Sequence, residues 1–137
     1  MKKYRFTFVV DIPSSLIVIR YSGRIEGVDL RESMVDHLRG FENAWRYDCI
    51  FDLGDYVATF TDADNEEVGR IWFELTKGRD VGRRTAIVSD YPAMEARLSR
   101  LQAPFPYRDY AFFNNFEAAL NWINGLGGAA IDDAQFI

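Results

Sequence analysis

The residues with the clearest capacity for chemistry are acidic. Asp52, Asp55 and Asp90 fall at or just past the ends of short apolar stretches. A carboxylate pair in such a place could hold a divalent metal or divide general-acid and general-base roles. An Asp ahead of a helix is also an ordinary cap, and capping with solvated loop carboxylates is the simpler reading. An enzyme built on Asp52, Asp55 and Asp90 stays as the lesser alternative, because it requires converging carboxylates in a cleft. A receiver-type phosphoacceptor role for Asp52 needs a Lys at the end of the last strand. The lysines are Lys2, Lys3 and Lys77, so that role is rejected. Asp62, Asp64 and Glu66 have the spacing of calcium-loop ligands, but the position that must be Gly for the sharp turn is Glu67. Acids there suit the first turn of a helix.

The remaining candidates read as structural. His37 is the single histidine and sits beside Asp36 with no nucleophile in view. Cys49 alternates onto the apolar side of a strand, where a free thiol is buried and inert. Gly125-Leu126-Gly127-Gly128 follows a helix, whereas a dinucleotide-binding loop precedes one. Arg79, Arg83 and Arg84 crowd one connection. They read as cations near a helix C-terminus, with an anion or acidic-partner patch as the functional alternative. Arg outnumbers Lys thirteen to three, and Arg is the better residue for fixed pairing with carboxylates. No cofactor and no metal site follow from these residues.

A regular succession of elements must position them. Residues 4–11 alternate, with Tyr4, Phe6, Phe8 and Val10 on one side, as a half-buried strand does. Pro13-Ser14-Ser15 is a turn. Leu16-Ile17-Val18-Ile19 is a continuous apolar run that pairs back as a hairpin. Gly23 closes it. Leu30, Met34, Leu38 and Phe41 recur as a helical stripe. Tyr47, Cys49, Phe51 and Leu53 alternate as strand three, and residues 55–63 form a loop. Asp64 and Glu67 have capping-box spacing, ahead of the stripe Val68, Ile71, Trp72 and Leu75. Gly78 stops that helix. Thr85–Val88 is strand four. Pro92 opens a helix carrying Met94, Leu98 and Leu101. Tyr107–Phe113 is strand five. Asn114 and Glu117 repeat the capping spacing before Phe116, Leu120 and Ile123.

The order β-β-α-β-α-β-α-β-α predicts an α/β fold: a mixed five-stranded sheet, four strands parallel and one antiparallel, with four helices. Residues 1–125 read as one domain. Residues 126–137 read as a flexible or partner-docked C-terminal tail. The composition agrees with a packed core: 137 residues, 48% hydrophobic and 15% aromatic. One Cys excludes a disulfide framework. A net charge of -5 argues against nucleic-acid binding, which needs a basic surface. No run of 18 apolar residues exists to span a membrane. Arg5 and Asp11 interrupt the apolar residues after Met1-Lys2-Lys3, so the start reads as mature structure rather than a signal peptide and the protein as cytoplasmic.

Three pieces in this order resemble a known family. They are Tyr21-Ser22-Gly23-Arg24-Ile25, Cys49-Ile50-Phe51-Asp52-Leu53, and Ala111-Phe112-Phe113 followed by Glu117-Ala118-Ala119-Leu120-Asn121-Trp122-Ile123. Over residues 4–124 the succession is similar to the STAS domain of bacterial anti-sigma-factor antagonists, and closer still to the small SpoIIAA-like proteins grouped as STAS/SEC14-like. The resemblance implies a non-enzymatic domain that binds a partner. In the antagonists a Ser or Thr after strand three is phosphorylated, within an Asp-Ser-Ser/Thr-Gly motif. The Ser pair and its Gly are missing here, so the site does not carry over. Thr59 and Thr61 lie in that neighbourhood without matching the motif.

Ligands of parallel α/β sheets bind outside the carboxyl ends of the strands. The candidate ligand or partner edge is therefore Gly23, Asp52, Asp55, Ser89, Asp90 and Asn114, with Thr59 and Thr61 beside it. The aromatic excess suggests an interface through Tyr56, Phe60, Trp72 and Phe73, since exposed aromatic patches mark contact sites. The leading expectation is a STAS-like regulatory domain acting through protein–protein contact, as a homodimer or on another protein. The alternative, from the SEC14-like resemblance and the aromatics, is a carrier or sensor of a small apolar, lipid-like ligand.

Overall fold

The computed structural model describes residues 4–23, 26–54, 56 and 61–125. The opening hairpin joins β1 (Tyr4–Asp11) to β2 (Leu16–Gly23), in antiparallel register with Val9 opposite Val18. Its turn places Ser15 at φ 53° and returns the Ser15 N–H to the Ile12 carbonyl. The chain continues through α1 (Gly27–Arg39), a single 3-10 turn at Ala44–Arg46, β3 (Asp48–Gly54), α2 (Asp62–Thr76) and β4 (Arg84–Ser89). Two short helices, α3 (Ala93–Ala96) and α4 (Leu98–Gln102), precede β5 (Asp109–Phe113) and α5 (Phe116–Ile123). The strands lie in chain order across one sheet, and every pair after the hairpin is parallel.

The expected α/β architecture is present, with five α-helices among the described residues in place of four. The single helix expected after Pro92 breaks at Arg97, whose N–H reaches back three residues to the Met94 carbonyl and so tightens the turn. Strand five begins at Asp109 rather than Tyr107, because residues 106–108 turn before the ladder with β4 starts.

Two helix starts differ from the expected positions, for a local reason. At α2 the cap is Thr61. Its hydroxyl accepts the Asp64 N–H at 3.1 Å, and the Asp64 carboxylate accepts the Thr61 N–H at 3.0 Å. Asp64 is therefore the third helical residue of a capping box, not its first member. At α5 the cap is Asn115, which accepts the Ala118 N–H at 2.8 Å. Asn114 lies one position outside.

The two faces of the sheet are covered unequally. One face, with Ile17, Ile19, Cys49 and Ile87, packs against Leu30, Met34 and Leu38 of α1, Val68 and Trp72 of α2, and Met94, Leu98 and Leu101 of α3 and α4. The opposite face, with Leu16, Ile50, Ala86 and Val88, is covered by α5 through Ala119 and Ile123. The alternation along each strand serves both cores at once, so the central strands read as unbroken apolar runs. Among the described residues, no helix is long and apolar enough to cross a membrane.

Candidate functional site

The carboxyl edge of the sheet is largely committed to local bonding. Asp52 sits opposite Arg20 in the register of β2 and β3, and the Arg20 Nε donates to its carboxylate at 3.2 Å. Arg20 also lies over the Phe116 ring at 4.5 Å. Ser89 is fully buried, and its Oγ accepts the Tyr91 N–H at 3.1 Å. Asp90 is exposed, and its N–H donates to the Gly54 carbonyl. The Asn114 side chain accepts from Asn115 at 3.1 Å. Gly23 ends β2 opposite Tyr4, and Thr61 serves as the α2 cap. Asp55, Thr59, Phe60 and the tail 126–137 lie outside the described residues.

The aromatic candidates separate. Phe73 is 48% exposed, but Tyr56 and Trp72 are buried at 3% and 6%. These two cannot form an outward patch, because both side chains face the sheet. Trp72 falls on the apolar stripe of α2, and Phe73 is turned about 100° from it.

What Tyr56 and Trp72 border is a partly open chamber of about 80 Å³, between the sheet and the four helices on its thicker side. Its wall is mostly aliphatic and aromatic, including Ile19, Met34, Val68, Ile87 and Phe105. Few polar atoms reach it. Tyr56 is one of the lining residues, and its hydroxyl is buried and finds no hydrogen-bond partner among the described residues. An unmet buried hydroxyl carries a desolvation cost of about 1–3 kcal/mol, which a ligand with a complementary group would relieve. Tyr21 packs edge-on to Tyr56 at 5.9 Å, and burial, reinforced by Tyr56, pushes its phenol well above the usual range. The Tyr21 phenol is therefore neutral at neutral pH.

A charged floor lies at one side of this chamber. Arg108 is 2% exposed and Asp80 is 2% exposed, joined at 3.1 Å. Arg108 also donates to the Thr85 hydroxyl at 2.9 Å, the Tyr47 carbonyl at 2.7 Å and the Arg84 carbonyl at 3.3 Å. Its guanidinium thus ties together the segments entering β3, β4 and β5. The Asp80 Oδ2 accepts both Arg108 and the Trp72 Nε1–H, the latter at 2.7 Å, while Oδ1 finds no donor among the described residues. Cys49 lies 3.6 Å from Arg108. Burial pushes its thiol up, and the nearby guanidinium offsets this only in part. The thiol is neutral and unreactive there, as its place on the strand suggested.

Nothing in the sequence pattern marked Arg108 or Asp80. Asp80 stands between Gly78 and Gly82, where a charged residue reads as solvated, and Arg108 falls near the start of the expected strand five, off its apolar side. The one available signal was the strong preference for Arg over Lys, which suits multiple fixed hydrogen bonds.

The sequence matches the SpoIIAA-like family over residues 16–124, most of the chain, and the protein belongs to that family. Domains of this family are regulatory and binding modules, in general without catalysis of their own. The crystal structure of an uncharacterised protein with a SpoIIAA-like fold from Shewanella loihica is similar. The TM-score is 0.59 at 16% identity, covering 88% of this chain and 93% of that one. No curated protein matches the sequence.

Proposed function

We propose that this protein is a non-enzymatic binding domain whose chamber takes a small apolar group carrying one hydroxyl or carbonyl, such as the functionalised end of an aliphatic chain. The observation that carries this reading is Tyr56, which lines a largely apolar chamber and whose buried hydroxyl finds no partner among the described residues. A volume of about 80 Å³ suits a few carbon atoms; an engineered apolar cavity of about 150 Å³ accepts benzene. The apolar wall would supply affinity and Tyr56 orientation. Trp72, in the same wall, makes occupancy visible by its fluorescence.

The test compares n-butanol with n-butyl chloride, similar in size and differing in the hydrogen-bonding end. Both should perturb Trp72 emission, with the alcohol the tighter. Tyr56→Phe should weaken the alcohol by about fivefold, as expected for one neutral hydrogen bond, and leave the chloride unchanged. Val68→Phe, which fills the chamber, should abolish both. Native mass spectrometry of freshly purified protein should show an aliphatic adduct. Neither probe perturbing Trp72, together with no adduct, would refute the reading.

A second reading is action through protein–protein contact, as a homodimer or on another protein. It is favoured by the half-exposed Phe73 ring, stacked on the half-exposed Tyr107 at 6.3 Å. Sedimentation at micromolar concentration tests the dimer; a single monomeric species counts against it. A cytoplasmic setting accords with both readings.

A further inference from the structure

Pairing of the cations divides the surface in a way that the chamber does not explain. Arg20, Arg31, Arg70, Arg97, Arg100 and Arg108 each face a carboxylate within 4 Å. Among the described residues, Arg39, Arg46, Lys77, Arg79, Arg83 and Arg84 have no such partner. All but Arg39 belong to the segments leading into β3 and β4, at one end of the molecule. A chain of net charge -5 thus keeps a local positive end.

That end is also where apolar side chains stand in water. Val81 is 70% exposed, Phe73 48% and Tyr107 43%. They are one cluster. The Phe73 and Tyr107 rings stack over Gly78, where an added Cβ would lie 3.3 Å from Tyr107, and the Gly82 N–H donates to the Tyr107 carbonyl at 3.0 Å. The Arg79 guanidinium lies over the Trp45 ring at 3.6 Å, a cation with no carboxylate partner among the described residues. Of the nearby acids, Asp80 is buried against Arg108 and Asp48 accepts the Arg84 N–H at 2.8 Å, while Asp109, exposed at the start of β5, is outnumbered by these cations. Exposed aromatic side chains beside uncompensated guanidinium groups have the composition of an interface centre, and their charge calls for an acidic, apolar partner.

The chain itself supplies such a segment, close at hand. Residues 126–137 contain Asp132-Asp133 between Ile131 and Phe136-Ile137, after a Gly127-Gly128 pair. The point from which they depart is held at the same end. Arg84, the first residue of β4, donates to the Trp122 carbonyl in the last turn of α5 and lies over the Trp122 ring at 5.1 Å. From Gly125 to Asp132 an extended chain reaches about 23–25 Å, whereas Arg84 and Val81 are three residues and at most about 11 Å apart. The acids can reach the cations with slack, and the glycines permit the turn.

We propose that residues 126–137 dock on their own domain, with Asp132 and Asp133 against Lys77, Arg79 and Arg83 and with Phe136 against the Phe73–Tyr107 pair. The segment then occupies the exposed face available to outside proteins, so a partner bearing an acidic, aromatic segment must displace it. This does not rest on ligand binding in the chamber.

Lysine scarcity makes the contact directly readable. Apart from Lys2 and Lys3, Lys77 is the one lysine in the chain, so a zero-length carbodiimide cross-link from Lys77 reports a single place. Treating the full chain at low salt and mapping by mass spectrometry should give a Lys77 amide to Asp132 or Asp133 within a monomer. The link should be lost in Asp132→Asn/Asp133→Asn, and fall several-fold in Arg79→Ser/Arg83→Ser and at about 0.5 M salt, where the Debye length is a few ångströms. Phe136→Ala should lower it while leaving both charges in place. Links found only between two chains would overturn docking on the same chain in favour of exchange between copies. Links from Lys77 only to Asp109, or none in a chain whose circular dichroism is native, would overturn it altogether.

Discussion

Replacing Arg108 by Met should be among the most damaging single changes outside the aliphatic core. The substitution keeps the stem of the side chain and removes one charge. It leaves the 2%-exposed Asp80 carboxylate with a single donor, the Trp72 indole, and takes donors from Thr85, the Tyr47 carbonyl and the Arg84 carbonyl. Breaking a buried pair by removing one partner costs about 3–5 kcal/mol, mostly through the charge left behind. Against the roughly 5–15 kcal/mol that holds a typical domain together, the loss is a large fraction, and Tm should fall by roughly 10–20 °C for a chain of this size. Urea unfolding followed by tryptophan emission measures it, since Trp72 donates to Asp80 directly. The companion variant is decisive. Asp80→Asn/Arg108→Met carries no buried charge, so it should be more stable than Arg108→Met alone by about 2 kcal/mol or more, because replacing a whole buried pair is often near neutral. A single variant as stable as the parent, or a double variant no better than the single, would refute the assignment of this pair as the tie among β3, β4 and β5.

Other consequences follow from individual contacts. Gly69, buried in the middle of α2, has no room for a methyl: an added Cβ would collide with the Pro104 side chain and stand 2.9 Å from its carbonyl. Gly69→Ala should therefore destabilise by about 1–3 kcal/mol through overpacking, despite a helix-propensity gain of about 1 kcal/mol; a gain in Tm would count against the close approach of α2 to the α4–β5 turn. Thr61→Ala removes the hydroxyl half of the α2 capping box and should cost about 1 kcal/mol in chemical denaturation, with Thr61→Ser restoring most of it. Alkali should destabilise the protein. Burial raises Cys49 above its ordinary value of 9.0, and Tyr21 and Tyr110 above 10.0. The unfolded chain releases these protons first, so their contribution is intact below pH 9 and declines as pH rises beyond it. A Tm independent of pH between 8 and 11 would contradict this.

Much of the architecture was legible in the amino-acid order. Period-two stretches, apolar runs and helical stripes report which faces a residue must bury, and those are local properties of strand and helix geometry. Leu30, Met34 and Leu38, or Val68, Ile71 and Trp72, land where their spacing put them. The capping positions were misplaced by three residues at Thr61 and by one at Asn115, since several Asp, Asn and Thr in a row offer equivalent caps and the choice depends on where the incoming chain runs. The site was less legible. Tyr56 and Trp72 were expected at an aromatic interface and are instead buried, because whether a ring faces water or a chamber depends on which helices lie over it. Asp52, Ser89 and Asn114 were placed near the strand ends, but only the folded chain shows that Arg20, Tyr91 and Asn115 engage them.

What the sequence alone determined is the five strands, their alternation with helical segments and the two-sided burial of the central strands, because each follows from periodicity within a few residues. Tertiary structure alone decided that four helices share one face and one the other, that a chamber remains between them, and that Arg108 meets Asp80 across 28 positions. Such pairings depend on the closing of parallel crossovers, which bring together residues that no local spacing relates.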